Sequence, residues 1–436
     1  MRPGLYAASE PARPHIAVIG AGISGMAAAY ALSGKARVTL FEAEPRLGGH
    51  ARTVMAGPHR DIPVDTGFMV FNTNTYPHLT ALFETLEVPT RPTDMSFAVS
   101  LDGGAFEYGV SDPHRLLADP RNAVSPRFWR LVSDILRFNR DAMAAAQGPE
   151  ITLGALLRRM NLSADFRDRY LYPLAGAIWS TARDDMDRFP AQSFVRFFDN
   201  HCLLSATQGP NWLTIAGGSQ EYVSRLERAL TFRRVTIRTG CPTEAVGRAP
   251  APWVKPKGSE REMFDGVVMA CHSDQAHALL ADPTPEENAV LGALRYRPNR
   301  AVLHGDARHM PRRRLAWSSW VYRGKSGADE TGGSFTYWMN QLQHIPRKTP
   351  LFVTLNPAGP IDESLIYDEA RFDHPQFDLA ALRAQAQLPA IQGMRNTWFA
   401  GAYTRYGFHE DGMASGLAAA QMIEGAFAAE DRRALA

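Results

Sequence analysis

Cysteine, lysine and long apolar runs are what this sequence has least of. Cys202, Cys241 and Cys271 are its 3 cysteines, widely spaced and odd in number. They make neither a disulfide framework nor a metal-ligand spacing, so no metal site is expected and a reducing cytoplasm is the simplest setting. No Cys-x-x-Cys pair is present for thiol redox chemistry. No apolar stretch approaches the ~20 residues that a spanning helix requires. Residues 1–14 carry prolines and charges in place of the apolar centre of a secretion signal. The lysines are Lys35, Lys255, Lys257, Lys325 and Lys348, so basic character is almost wholly arginine. The formal net charge of +2 gives no electrostatic argument for nucleic acid.

What is there is a globular composition, 45% hydrophobic and 21% charged, over 436 residues, enough for two domains. "HIAVIG" (15–20) reads as a buried parallel strand, "ISGMAAAYALS" as a helix of small residues, and "ARVTLFEAE" as a second strand ending in acid. That is the strand–turn–helix–strand opening of a dinucleotide-binding domain. Its turn, "GAGISG", supplies Gly20 for tight reversal, Gly22 for close approach of a pyrophosphate, and Gly25 for helix–strand packing. Glu42 closes the second strand about twenty residues on, placed to accept from ribose hydroxyls and to disfavour a 2′-phosphate, hence NADP. "EAEPRLGGH" then adds Gly48 and Gly49 as a second backbone approach, with Arg46 as a cation for phosphate.

Further along, "YPHLTALFETL" reads as helix, residues 112–209 as mostly helical, and residues 290–385 as largely β. "APAPWVKPKGSERE" (249–262) reads as a polar, proline-rich loop or hairpin tip. "PRFWRLVSDILRFNRDAM" (126–143) sets Phe128, Leu131, Ile135 and Phe138 among Arg127, Arg130, Arg137 and Arg140. Such a helix either packs into a core with a solvated basic face, the favoured reading, or lies on anionic lipid. No second Gly-x-Gly-x-x-Gly follows a strand, so electrons would leave to oxygen, a quinone or another protein unless a nicotinamide binds transiently.

The stretch E-A-x-x-R-x-G-G resembles that of the flavin-containing amine oxidase and phytoene desaturase superfamily, with His50 where the family usually has arginine. The resemblance implies FAD as cofactor. It also implies an α/β fold of two domains, a Rossmann-type, glutathione-reductase-like FAD domain and a mixed α+β substrate domain. The first would take 14–75, 210–289 and 386–430, and the second 76–209 and 290–385. "PVDTGFMVFN" would bring Gly67, Phe68 and Met69 to the flavin, "RTGCPTEAV" would bring Thr243 to the adenine, and "FAGA" would run Gly401 and Ala402 under the ribityl chain. Ile23, Ser24, Ala43, His50 and Ala270 complete the implied cofactor lining. Ala402 replaces an acid common in amine oxidases, which argues against a close relative of those enzymes. In the family the last helix begins beneath the flavin; here Asp411 would be its N-cap, and Gly412 and Met413 would offer backbone N–H groups to the reduced ring.

"VLHGDARHMPRRRLAWSSWVY", "TYWMNQLQ" and "GFHEDG" resemble a bacterial branch similar to methyl-branched fatty acyl desaturases of furan fatty acid synthesis. Members are encoded beside cyclopropane-fatty-acyl-synthase-like methyltransferases, so a functional coupling to such a partner is implied. The substrate expected is a lipid or fatty acyl chain, met in the cytoplasm or at the inner face of the membrane. Asn72, Tyr76, Asn340, His409 and Glu410 are the candidates for positioning or proton transfer; His304, Asp306, Trp317, Trp320, Tyr337 and Trp338 are further pocket candidates. A flavin amine oxidase, a carotenoid-type desaturase and a non-catalytic flavin-binding partner of a lipid methyltransferase remain as alternatives.

Overall fold

Five parallel strands form the central sheet of the computed structural model, in the order Thr236–Arg238, Arg37–Phe41, His15–Ile19, Gly266–Met269, Thr397–Phe399. The structure describes residues 13–179, 183–201, 203–204, 211–326 and 333–434; Cys202, residues 1–12 and the end of the "YRGKSGADE" loop lie outside them. The strands are short, apolar runs buried on both faces, as a parallel sheet covered by helices requires. Helix Ile23–Leu32 lies on one face, and the last helix, His409–Ala434, packs along it. Glycine makes that contact close: a side chain at Gly416 would meet the Ser24 carbonyl oxygen at 2.1 Å.

A second sheet of seven strands carries the other half of the molecule. Its order is Ile366–Pro375, Tyr296–His304, Phe352–Leu355, Ser334–Trp338, Trp320–Gly324, Phe97–Leu101, Phe106–Gly109. All neighbours are antiparallel except Trp320–Gly324 with Phe97–Leu101. Helices between Pro113 and Asn200 cover one face, where Trp179, Phe194, Phe197 and Phe198 join an aromatic core with Tyr337 and Phe335. Strand alternation sends Val321 and Phe352 into a smaller cluster, which Trp317 from the preceding turn and Trp338 also join.

Three segments depart from the expectations. Helix Pro77–Thr85 puts Leu79, Leu82 and Phe83 into the core of the nucleotide sheet, although it was expected in the substrate domain. Helix Leu379–Ile391 likewise buries Ala381, Ala384 and Leu388 against that sheet. Residues 249–262 hold more than a loop or hairpin tip: the tip lies between Gly247 and Trp253, and Trp253–Pro256 and Glu262–Met263 complete a three-stranded antiparallel sheet with Thr243–Gly247. The cause is the Trp253–Val254 pair, two apolar side chains that are buried despite their polar surroundings.

Candidate functional site

The two glycine turns face each other at the carboxyl ends of the central strands. Gly20 adopts φ +100°, and a side chain there would meet the Ala270 carbonyl oxygen at 2.8 Å. At Gly25 a Cβ would stand 1.8 Å from the Gly20 oxygen, whereas at Gly22 it would meet nothing within 4 Å. Gly22 forms a parallel bridge with Gly48, and Gly49 backs it, so both backbones line the same open ground. Glu42 is fixed beside this turn, accepting from the N–H of Ala21 at 2.7 Å and of Glu44 at 2.9 Å. Its oxygens keep lone pairs for ribose hydroxyls. Ala43 is exposed next to it. The amides of Gly240 and Cys241 donate to the carbonyls of Glu44 and Glu42, drawing Thr243 alongside; its hydroxyl is buried with no partner. An open glycine cradle, a fixed acid and an orphaned buried hydroxyl fit a dinucleotide.

Arg46 does a different job from the one expected. Its guanidinium donates to the carbonyls of Leu47, Ala51 and Gly49 and pairs with Glu44, so it clamps the Gly48–Gly49 loop. Its charge stays near the cradle, but its donors already have acceptors.

Beyond the cradle, segments distant in the chain converge. The His50 carbonyl accepts from Phe68 N–H, and a side chain at Gly67 would collide with that oxygen at 2.0 Å. Met69 is buried, and its carbonyl accepts from the Thr214 hydroxyl. Gly401 N–H donates to Ser415 Oγ of the last helix, leading into the turn at Ala402–Thr404. Ile23 and Ser24 abut Gly412, where a Cβ would lie 2.9 Å from each side chain.

The last helix starts at His409, three residues before the expected Gly412. Gly412 N–H closes the first turn on the Phe408 carbonyl, so neither Gly412 nor the deeper Met413 offers a free amide; the leftover first-turn amides belong to His409, Glu410 and Asp411. Asp411 is not the N-cap residue itself. It reaches back from the first turn to accept from Phe408 N–H at 3.0 Å and Tyr406 N–H at 3.2 Å, half of a capping box. Burial raises its carboxyl to about 6.

The proton-transfer candidates separate clearly. His409 stacks flat on Phe68, ring centroids 4.0 Å apart, and its Nε2 meets the Tyr222 hydroxyl at 2.6 Å. Burial lowers it to about 3, so it is a neutral imidazole at ordinary pH. Glu410 instead accepts from the N–H groups of His78 and Leu79 at 3.0 Å each, capping helix Pro77–Thr85. Asn72 folds a local turn by accepting from Asn74 and Thr75 N–H. Tyr76 is buried edge-on to Phe71. Asn340 accepts from Leu351 N–H and donates to the carbonyls of Pro346 and Thr349, staples that occupy its amide. Of the pocket candidates, His304 binds Thr354 at 2.7 Å and Asp306 pairs with Arg308; both are structural. Trp320 and Tyr337 do face the aromatic core, in an edge-to-face pair.

Sequence reasoning named His50 but missed the two imidazoles grouped with it, His272 and His374. The His50 ring centroid lies 5.5 Å from that of His272 and 5.8 Å from that of His374, and burial lowers all three. His272 directly follows the central strand in "MACHS", the position that could have revealed it. Asp65 was missed too. It is fully enclosed, accepts from Thr53, Ser219 and Gln343, and burial raises it to about 6. Strands Thr53–Ala56 and Ile62–Asp65 are tied there to the start of the helix after Gly218.

The match to the description "Flavin containing amine oxidoreductase" spans residues 23–312, more than half of the chain. An L-amino-acid oxidase from Gloydius halys is 53% identical over 53 residues, 12% of this chain and 10% of that protein. Over the whole fold, cyclohexylamine oxidase from Brevibacterium oxydans IH-35A superposes with a TM-score of 0.67 at 17% identity, covering 95% of this chain and 99% of that one. A CLA-producing fatty acid isomerase from P. acnes does so with a TM-score of 0.66 at 13% identity and the same coverages. The family match and the glycine cradle agree: the chain belongs to the flavin-containing amine oxidoreductase family, and its cofactor is FAD.

Proposed function

We propose that this chain is an FAD-dependent oxidoreductase that dehydrogenates a methyl-branched fatty acyl chain, free or in a phospholipid, leaving a carbon–carbon double bond. FAD, when bound, supplies the acceptor for a hydride and so for both electrons of one broken C–H bond; the second hydrogen leaves as a proton, and the electron pair of its C–H bond becomes the double bond. The observation that carries the reading is the aromatic lining where the last helix begins, with Phe68 against His409 and Phe408 beside it. Glu410 and Asp411 are bonded to backbone amides, and burial keeps His50, His374 and His409 neutral. Beside them Phe408 stacks on Phe197, which in turn stacks on His201. The two carboxylates are already committed, Glu410 also to His78, and the aromatic surface left beside them suits an acyl chain. The fatty acid isomerase among the structural neighbours makes the substrate class compatible with this fold.

With Tyr222 donating, His409 carries its proton on Nδ1 and its plane is locked against Phe68. Its role is to shape and orient, because an imidazole titrating near 3 is a weak base. The partner-protein reading, support of a lipid methyltransferase without turnover, remains the alternative of another class. Amine oxidation is favoured by one finding, the short match to L-amino-acid oxidases. Anaerobic mixing of the FAD-loaded protein with methyl-branched acyl phospholipids distinguishes these. Bleaching of the oxidised flavin band, with a product two hydrogens lighter, is expected. Bleaching by amines or L-amino acids alone would replace the reading with amine oxidation, and no bleaching by either would favour the partner role.

A further inference from the structure

Helix Pro126–Ala145 sends apolar side chains in two directions. Phe128, Leu131, Phe138 and Ala142 are buried in the aromatic core. Trp129, Leu136 and Met143 point out, 46%, 56% and 43% exposed, and Val124 just before the helix is 83% exposed. Among the described residues, 4 of the 11 exposed large apolar side chains thus fall between positions 124 and 143. Trp129, Leu136 and Met143 form a line, because seven residues fall only about 20° short of two full turns. The Trp129 indole N–H donates to the Ala123 carbonyl at 2.9 Å, which fixes the ring at the surface.

Arginines flank the line. Arg130 is exposed, Arg140 pairs with the partly exposed Asp141, and Arg137 pairs with the buried Asp134. The exposed Arg140–Asp141 pair holds weakly, about 0–1 kcal/mol, so Arg130 and Arg140 are free to turn to phosphate, while Arg137 stays tied to Asp134 and the Asn161 carbonyl. A second helix is a poor occupant. A helix–helix seam needs apolar residues three or four positions on from each anchor; Val132 follows Trp129 but packs against the core, and Leu136 is followed by Asn139 and Arg140. A stripe of tryptophan, leucine and methionine edged by arginine matches instead the interface of acyl chains and anionic headgroups.

We propose that the outer face of helix Pro126–Ala145 docks this protein on the surface of an anionic phospholipid bilayer, with Trp129, Leu136 and Met143 inserted and Arg130 and Arg140 at the headgroups. No helix among the described residues is long and apolar enough to cross the membrane, so the contact is peripheral. The docking holds whatever the substrate proves to be.

The test is co-sedimentation of the full-length, FAD-loaded protein with vesicles of phosphatidylcholine alone or mixed with phosphatidylglycerol. Wild type is expected to pellet with the mixed vesicles, less so as salt rises, and to stay in solution with phosphatidylcholine. The triple variant Trp129→Ser, Leu136→Ser, Met143→Ser is expected to lose at least ~10-fold in binding, and so is the pair Arg130→Glu, Arg140→Glu, at roughly fivefold or more per charge. Both sets alter exposed side chains, so unchanged melting curves confirm intact folding. The proposal is overturned if wild type ignores anionic vesicles, or if the folded variants bind as wild type does. It is equally overturned if the stripe proves to join two copies, read as a dimer that the triple substitution dissolves without any vesicle binding.

Discussion

Gly22 and Gly25 stand three residues apart and carry different loads. Gly25 has the backbone of Gly20 directly against it, while Gly22 has an extended conformation (φ −69°, ψ −178°) that any residue adopts, with open ground in front of it. Gly25→Ala therefore forces the turn apart, at a cost of about 3 kcal/mol or more. Gly22→Val should leave folding intact and fill the place of the pyrophosphate. The expected result is a protein that melts like cofactor-free wild type and purifies without the flavin absorbance. A Gly22→Val protein with full flavin content would move the cradle elsewhere. These glycines were legible in the sequence because spacing alone dictates their work. Arg46 and Asn340 were not: residue type announces a polar group, but the clamp on the Gly48–Gly49 loop and the staple on residues 346–351 depend on where the backbone returns.

At the scale of elements, the start of the last helix shows how one polar row can be shared. His409, Glu410 and Asp411 sit on successive positions about 100° apart, so each faces a different neighbour. His409 reaches Phe68 and Tyr222, Glu410 the amino end of helix Pro77–Thr85, and Asp411 its own preceding loop. The sequence placed this row beside the cofactor but could not divide the tasks, since Glu410's partners lie more than 330 residues away in the chain. Removing the cap in Glu410→Ala leaves two helix amides without acceptors and should cost about 1–2 kcal/mol of stability. Flavin reduction by substrate should stay within a few-fold of wild type. A drop of a hundredfold or more with unchanged stability would instead return Glu410 to acid–base chemistry. The rest of the elements follow a similar division. Strands and helices with clear periodicity were readable, and residues 249–262 were not, because Trp253 and Val254 become a strand only through their sheet partners.

For the whole molecule, buried titratable groups set how stability responds to acid. Burial lowers His201 and His374 to about 4, and His304 and His409 to about 3. The unfolded chain takes up these protons near 6.5 and the folded one does not, so each histidine withdraws stability as pH falls from about 6.5. Asp65 and Asp411 act in the opposite sense. Both are raised to about 6 from 3.8, so the folded state gains protons first and is favoured as pH falls through that range. The four histidines begin earlier and span wider intervals than the two carboxylates, so the net effect is loss. The urea midpoint of the FAD-loaded protein should fall clearly between pH 7 and pH 5. His304 separates this effect from loss of cofactor, because it lies in the second sheet, bonded to Thr354. In His304→Gln the fall should be smaller than in wild type, even though the substitution itself lowers the midpoint at pH 7. An equal fall in both proteins would assign the acid sensitivity to the cofactor site alone.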